Sequence, residues 1–181
     1  VIYEQDRLNS LDQVREQLKP MLGESVTKRV KAYKDGTLYV ESTMSAALGA
    51  WLVDSVLVNG TAIALGVLYY AGSTDPNKAA GSFVIALSLF VVLPLLYGWF
   101  YGNGRGVGAL LTDTRLVRAR DGSRVGLAKA GWAMLIRTLL IPLALLGALG
   151  GGGSVDAGGV RVSIDVPATA RLRMTAFQRV P

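Results

Sequence analysis

Three long stretches of the chain carry almost no charge, and polar segments flank and separate them. From Met44 to Ala71 there are 28 residues without a lysine or arginine. From Ala79 to Tyr101 there are 23 without any charge, and from Ala130 to Gly150 there are 21 with one, Arg137. About 20 mainly apolar residues carry a helix across the hydrocarbon core of a bilayer. The pattern therefore predicts an all-α transmembrane fold, a three-helix membrane bundle with spans over 44–71, 79–101 and 130–150. For the third segment a re-entrant or surface-lying helix is the alternative. The polar turn Gly72 to Lys78 makes the first two an antiparallel hairpin, and residues 102–129 form a polar loop before the third.

The flanks follow other rhythms. Leu8, Leu11, Val14, Leu18, Met21 and Leu22 recur at three- and four-residue spacing within tail 1–43, which predicts an amphipathic helix. Asn9 or Ser10 is its expected N-cap, and Pro20 and Gly23 its expected end. Asp35-Gly36 between Val- and Tyr-rich residues signals a hairpin. At the other end, Gly151-Gly152-Gly153-Ser154 reads as a flexible joint. Beyond it Val160, Val162, Ile164 and Val166 alternate with polar residues, and Leu172 and Met174 follow Pro167, which predicts two short strands. This gives a cytoplasmic N-terminal tail, a membrane domain over 44–150, and a C-terminal tail over 151–181. After three spans that last tail is extracytoplasmic; if the third segment does not cross, it is inside.

Composition narrows the chemistry. Only 18% of residues are charged, against about 25% in ordinary soluble domains. The absence of Cys and His excludes thiolate nucleophiles, imidazole acid–base chemistry and the usual zinc sites, and no metal, cofactor or enzymatic activity is expected. A net charge of +6 could suggest nucleic acid, but no recognition motif accompanies it. On a membrane protein, basic loops face the cytoplasm and anionic lipid heads. Loop 102–129 holds six basic residues against two acids, the N-terminal tail seven, the turn one and the C-terminal tail four. The positive-inside rule then predicts a multi-pass protein with its N-terminus in the cytoplasm. Tyr69, Tyr70, Trp99 and Tyr101 sit at span ends, where aromatic rings anchor, and Trp51 is placed to do the same.

Asp54 is the foremost candidate. It lies about ten residues into the first span, roughly 15 Å deep at 1.5 Å per residue, where a carboxylate costs about 2.5–3.5 kcal/mol. Such residues face a bundle interior or a wet cavity, as an ion, proton or ligand site or as a structural pair. Arg137, at comparable depth in the third span, is its natural ion-pair partner; the alternative is that it snorkels alone to the interface. Ser55, Asn59, Ala62 and Gly66 share one side of the first helix, a face suited to close packing within the chain or against another subunit. Pro94 should kink the second span. Gly102, Gly104, Gly106 and Gly108 do not match a phosphate-binding fingerprint and read as a tight turn leaving the membrane.

These residues resemble the RDD family of bacterial membrane proteins over about residues 45–145. The resemblance rests on Gly49-Ala50-Trp51-Leu52-Val53-Asp54 in the first helix, then Gly104, Gly106 and Gly108. It continues through Arg115-Leu116-Val117, Asp121-Gly122 and Arg137. Ala47, Ala109 and Asp113 stand where the family pattern has arginine, lysine and glycine. The resemblance implies a bacterial cell membrane location and a role near transport, with some members thought to move ions and others encoded beside larger transporters, lipid importers among them. The expected role is a non-catalytic accessory subunit whose partners are other membrane subunits, with anionic lipid at the basic loop. The alternative is a small oligomeric ion or proton-coupled transporter that uses Asp54.

Overall fold

The computed structural model describes residues 2–140 and 161–179 and is mostly helical. Helices α1 (Ile2–Leu22) and α2 (Glu24–Thr27) lead into strands β1 (Val30–Ala32) and β2 (Leu38–Val40). Helices α3 (Met44–Gly72) and α4 (Lys78–Tyr101) form the long hairpin, which a short α5 (Val107–Leu111) and strand β3 (Thr114–Arg118) follow. Helix α6 (Leu127–Leu135) runs on into a π-helical turn, Ile136–Leu140. Strand β4 (Arg161–Asp165) and helix α7 (Val166–Arg173) close the described chain. Positions 141–150 of the third apolar stretch, the Gly-Gly-Gly-Ser joint and Val160 lie outside the described residues.

Two helices, α3 and α4, are long and apolar enough to cross a membrane. Their packing differs from that of core helices in a soluble protein, because most of their large side chains face outward. Leu52, Val56, Ile63, Val67 and Leu68 are exposed on α3, and Phe83, Val84, Leu87, Leu96 and Phe100 on α4. Monomeric soluble proteins rarely leave so large an apolar surface open. Pro94 is buried inside α4, which continues through it.

The polar segments build a second unit together. Antiparallel β1–β2 turns at Asp35-Gly36, where Gly36 takes a positive φ and Thr37 N–H donates to Asp35 Oδ1. Leu11, Val14 and Leu18 of α1 pack on Val30, Leu38 and Val40, and Ala168 and Leu172 of α7 complete that core. Arg15 donates from Nε and Nη2 to the Val30 carbonyl, tying α1 to β1. The side chain of Leu8, the first member of the expected stripe, lies outside the described residues.

Two expectations are corrected here. The first helix begins at Ile2, so Asn9 and Ser10 are interior rather than capping, and Pro20 sits inside its last turn. An interior Asn or Ser costs less than about 0.7 kcal/mol, too little to end a helix. Gly23, at φ 81°, does end it. The second half of the C-terminal segment is a helix and not a strand. Asp165 caps it by accepting from the Ala168 N–H at 2.9 Å, and Pro167 sits in the first turn, where its missing N–H costs nothing.

The C-terminal segment also meets the loop after α4. Strand β4 pairs antiparallel with β3 over Thr114–Asp165 to Arg118–Arg161, and Arg29 bridges to Asp165 at 3.0 Å. The C-terminal segment therefore sits at the same end of the hairpin as the N-terminal segment and loop 102–129. Among the described residues, α6 and its π turn pack against the two-helix hairpin, and β4 docks on β3. The cause is backbone satisfaction: β3 is an open edge whose N–H and C=O groups need partners, and the alternating stretch 161–165 supplies them.

Candidate functional site

The site is assembled around Asp54, one of six residues buried along α3. Its side chain is 0% exposed. Oδ1 accepts from Tyr97 Oη at 2.9 Å and from the Gly108 N–H at 2.8 Å, and Oδ2 accepts from Tyr101 Oη at 3.1 Å. Arg137 Nη2 lies 3.9 Å from Oδ2, and its guanidinium carbon stands 5.2 Å from the centre of the Tyr101 ring. Tyr97 Oη in turn accepts from the Val107 N–H at 2.7 Å. Four elements thus converge on one carboxylate.

Local sequence makes each approach possible. Tyr97 and Tyr101 are four residues apart on α4 and so share a face. Gly98, between them, meets Gly131 of α6 backbone to backbone: a side chain on Gly98 would run into the Gly131 main chain. That contact seats α6 on α4, and the π turn that follows carries Arg137 toward Asp54. The Arg137 carbonyl accepts from Trp51 Nε1 at 2.9 Å, so Trp51 holds the same turn from α3. Single π turns inside helices occur often at functional sites.

Gly102 to Gly104 form the turn expected after α4, and the glycines that follow have a further use. A Cβ on Gly106 would lie 2.8 Å from Asp54 Oδ1, and one on Gly108 would collide with the backbone of Ala50. These two positions let the main chain after α4 press against α3 and donate an N–H to the carboxylate. Gly104, at φ 72°, turns the chain back so that its carbonyl accepts from Leu116 N–H at 2.8 Å. Arg115, in β3, lies outside the Asp54 cluster.

The small-residue face of α3 is largely used within the chain. Ala62 and Gly66 are buried, Gly66 packs against Ala86 and Ser82, and Ser82 Oγ donates to the Gly66 carbonyl at 2.7 Å. Ser55 Oγ and Asn59 Oδ1 are buried with no hydrogen-bond partner. On the outside of the hairpin, Leu57, Val58, Thr61, Leu93, Leu96, Tyr97 and Phe100 line a cleft of about 280 Å3.

Sequence reasoning missed Tyr97 and assigned Tyr101 to an interfacial anchor, yet Tyr101 is fully buried. The available signal was the i, i+4 tyrosine pair flanking a glycine in an otherwise apolar helix. Among the described residues, no three His, Cys, Asp or Glu side chains converge as a metal site. In comparison with protein-family profiles, curated proteins and solved structures, the chain matches none.

Proposed function

We propose that this chain is a multi-pass protein of a bacterial cell membrane that serves as a non-catalytic accessory subunit of a larger transport complex. The observation that carries the reading is the occupation of Asp54. A carboxylate placed between two lipid-length helices has its oxygens taken by two phenols and a backbone N–H, with a guanidinium alongside and no exposure to solvent. Such a group works as a latch that fixes helix positions, while the outward apolar faces of α3 and α4 remain for lipid and partner helices.

The shared location of the polar segments supports the orientation. With the N-terminal segment, loop 102–129 and C-terminal segment on one side, that side holds seven, six and four lysines and arginines. The turn on the other side holds Lys78 alone. This bias favours a cytoplasmic polar unit and an even number of crossings. Asp113 departs from the RDD pattern at a position whose backbone suits glycine. It stands where the family pattern has glycine, and it is the one non-glycine at positive φ among the described residues, at 52°.

The test is purification from native membranes in mild detergent. A stoichiometric, larger membrane partner is the expected result. A monodisperse monomer, together with intact membrane complexes in a deletion strain, would overturn the proposal.

One observation favours the second reading, an ion- or proton-coupled transporter. Tyr97 both lines the outer cleft and donates to Asp54, which places a hydroxyl between an accessible groove and the buried acid. On that reading Asp54→Asn abolishes pH-dependent flux in liposomes without disturbing assembly.

A further inference from the structure

Loop 102–129 carries more positive charge than the orientation rule asks for, and the fold gathers part of it. Arg105 follows Gly104, whose carbonyl accepts from Leu116 N–H, so it is held beside Arg115. A Cβ on Gly104 would lie 3.0 Å from Arg115 Cγ, which shows how close that turn comes to the Arg115 side chain. Arg124 reaches the same turn from across a β-bridge to Val117, with Nη1 donating to Asn103 Oδ1 at 3.0 Å. Arg173 arrives from the last turn of α7, delivered by the β3–β4 pairing.

None of these four arginines forms an ion pair among the described residues, although Arg15, Arg29 and Arg137 each stand within 4 Å of an aspartate. The Nε atoms of Arg105 and Arg115 are buried without an acceptor. Burial, and then the charges of Arg105, Arg124 and Arg173, hold the Arg115 guanidinium below its ordinary pKa. Like charges brought together from loop 102–129 and α7, with donors left unmatched, raise the energy of the arrangement. A dianionic or monoanionic oxyanion would relieve both the repulsion and the unmet donors, and guanidinium forks suit phosphate oxygens.

We infer that Arg105, Arg115, Arg124 and Arg173 form a binding site for a phosphate group. The site lies just beyond the end of α4, at Tyr101, and so at headgroup level for a chain embedded through α3 and α4. This placement rests on the membrane reading but not on the accessory role. The phosphate can belong to an anionic lipid or to a soluble ion.

The experiment uses the full chain in neutral detergent, with bound ligand read by native mass spectrometry. One arm offers phosphatidylglycerol against phosphatidylcholine, and the other offers inorganic phosphate alone and as a competitor. The expected result is selective retention of one phosphate source, reduced at least tenfold on the order expected for lost charge-assisted bonds in Arg105→Gln/Arg115→Gln. The exposed pair Arg124→Gln/Arg173→Gln, which leaves the buried Nε atoms of Arg105 and Arg115 in place, should show the same direction of loss. Arg120→Gln/Arg171→Gln removes equal charge nearby and should leave retention unchanged. Retention of the lipid that phosphate cannot displace assigns a headgroup; displacement by millimolar phosphate assigns a soluble anion. Equal loss in the control pair, or no selective binding in either arm, overturns the site. Partner capture plays no part in these readouts, so a failed accessory role leaves them readable.

Discussion

Replacing Asp54 by asparagine keeps the shape of the side chain and removes its charge. Arg137, 15% exposed, then loses its counter-ion, and one of the three donors now facing the carboxylate meets an amide N–H instead of an acceptor. Breaking one partner out of a buried pair costs about 3–5 kcal/mol in soluble proteins. Here the pair is long, at 3.9 Å, and Arg137 keeps the face of Tyr101, which lowers the figure. The lost donor contributes about 1 kcal/mol in the other direction, and we expect a net loss of about 2–4 kcal/mol. At about 2–4 °C per kcal/mol for a chain of this size, the melting temperature should fall by roughly 5–15 °C. Differential scanning fluorimetry in detergent reads this directly from the three tryptophans. The Asp54→Asn/Arg137→Gln double variant should recover about 1–2 kcal/mol, because no unpaired guanidinium is left behind. If Asp54→Asn melts with the wild type, or the double variant shows the plain sum of the single losses, the latch argument is refuted.

Three further outcomes follow from other parts of the fold. The chain lacks cysteine, so single Cys substitutions can be labelled without background; Thr175→Cys and Asp121→Cys should react from the same side of the membrane, and Thr74→Cys from the other. Labelling of Thr175→Cys together with Thr74→Cys would undo the even-crossing topology. Gly108→Ala drives a methyl into the Ala50 backbone and should destabilise by about 1–3 kcal/mol. Gly60→Ala, with open space around its Cβ, should be neutral or stabilise by up to about 1 kcal/mol, both read as melting temperatures. Burial, and then the Glu41 charge, push the Tyr39 phenol up to about 12 from its ordinary value of 10.0. A raised folded pKa means the fold favours the neutral phenol, so that stability is complete below pH 10 and is lost as pH climbs toward 12. Absorbance at alkaline pH should show a late phenolate step that Tyr39→Phe removes; a Tyr39 step at the ordinary value would contradict the packing.

The sequence by itself determined the apolar hairpin, the turn at Asp35-Gly36 and the place of Asp54 within the first long apolar helix. These are local properties: stretch length, charge spacing and turn chemistry are readable over ten to thirty consecutive residues. Arg137 was legible as a neighbour of Asp54, but only the tertiary structure decided which donors hydrogen-bond it. Its partners lie 43, 47 and 54 residues away, and glycines at 98, 106, 108 and 131 make room for them, a steric condition that no hydropathy pattern encodes. The same holds for the tails. Each is too short to bury a core, and α1 becomes a packed helix because Ala168 and Leu172 arrive from the far end of the chain. Strand pairing between residues 114–118 and 161–165 brings them there, and with them Arg173. Hydrophobic burial is non-directional, so it names which residues go inside, while backbone hydrogen bonding and steric fit select the neighbours they find.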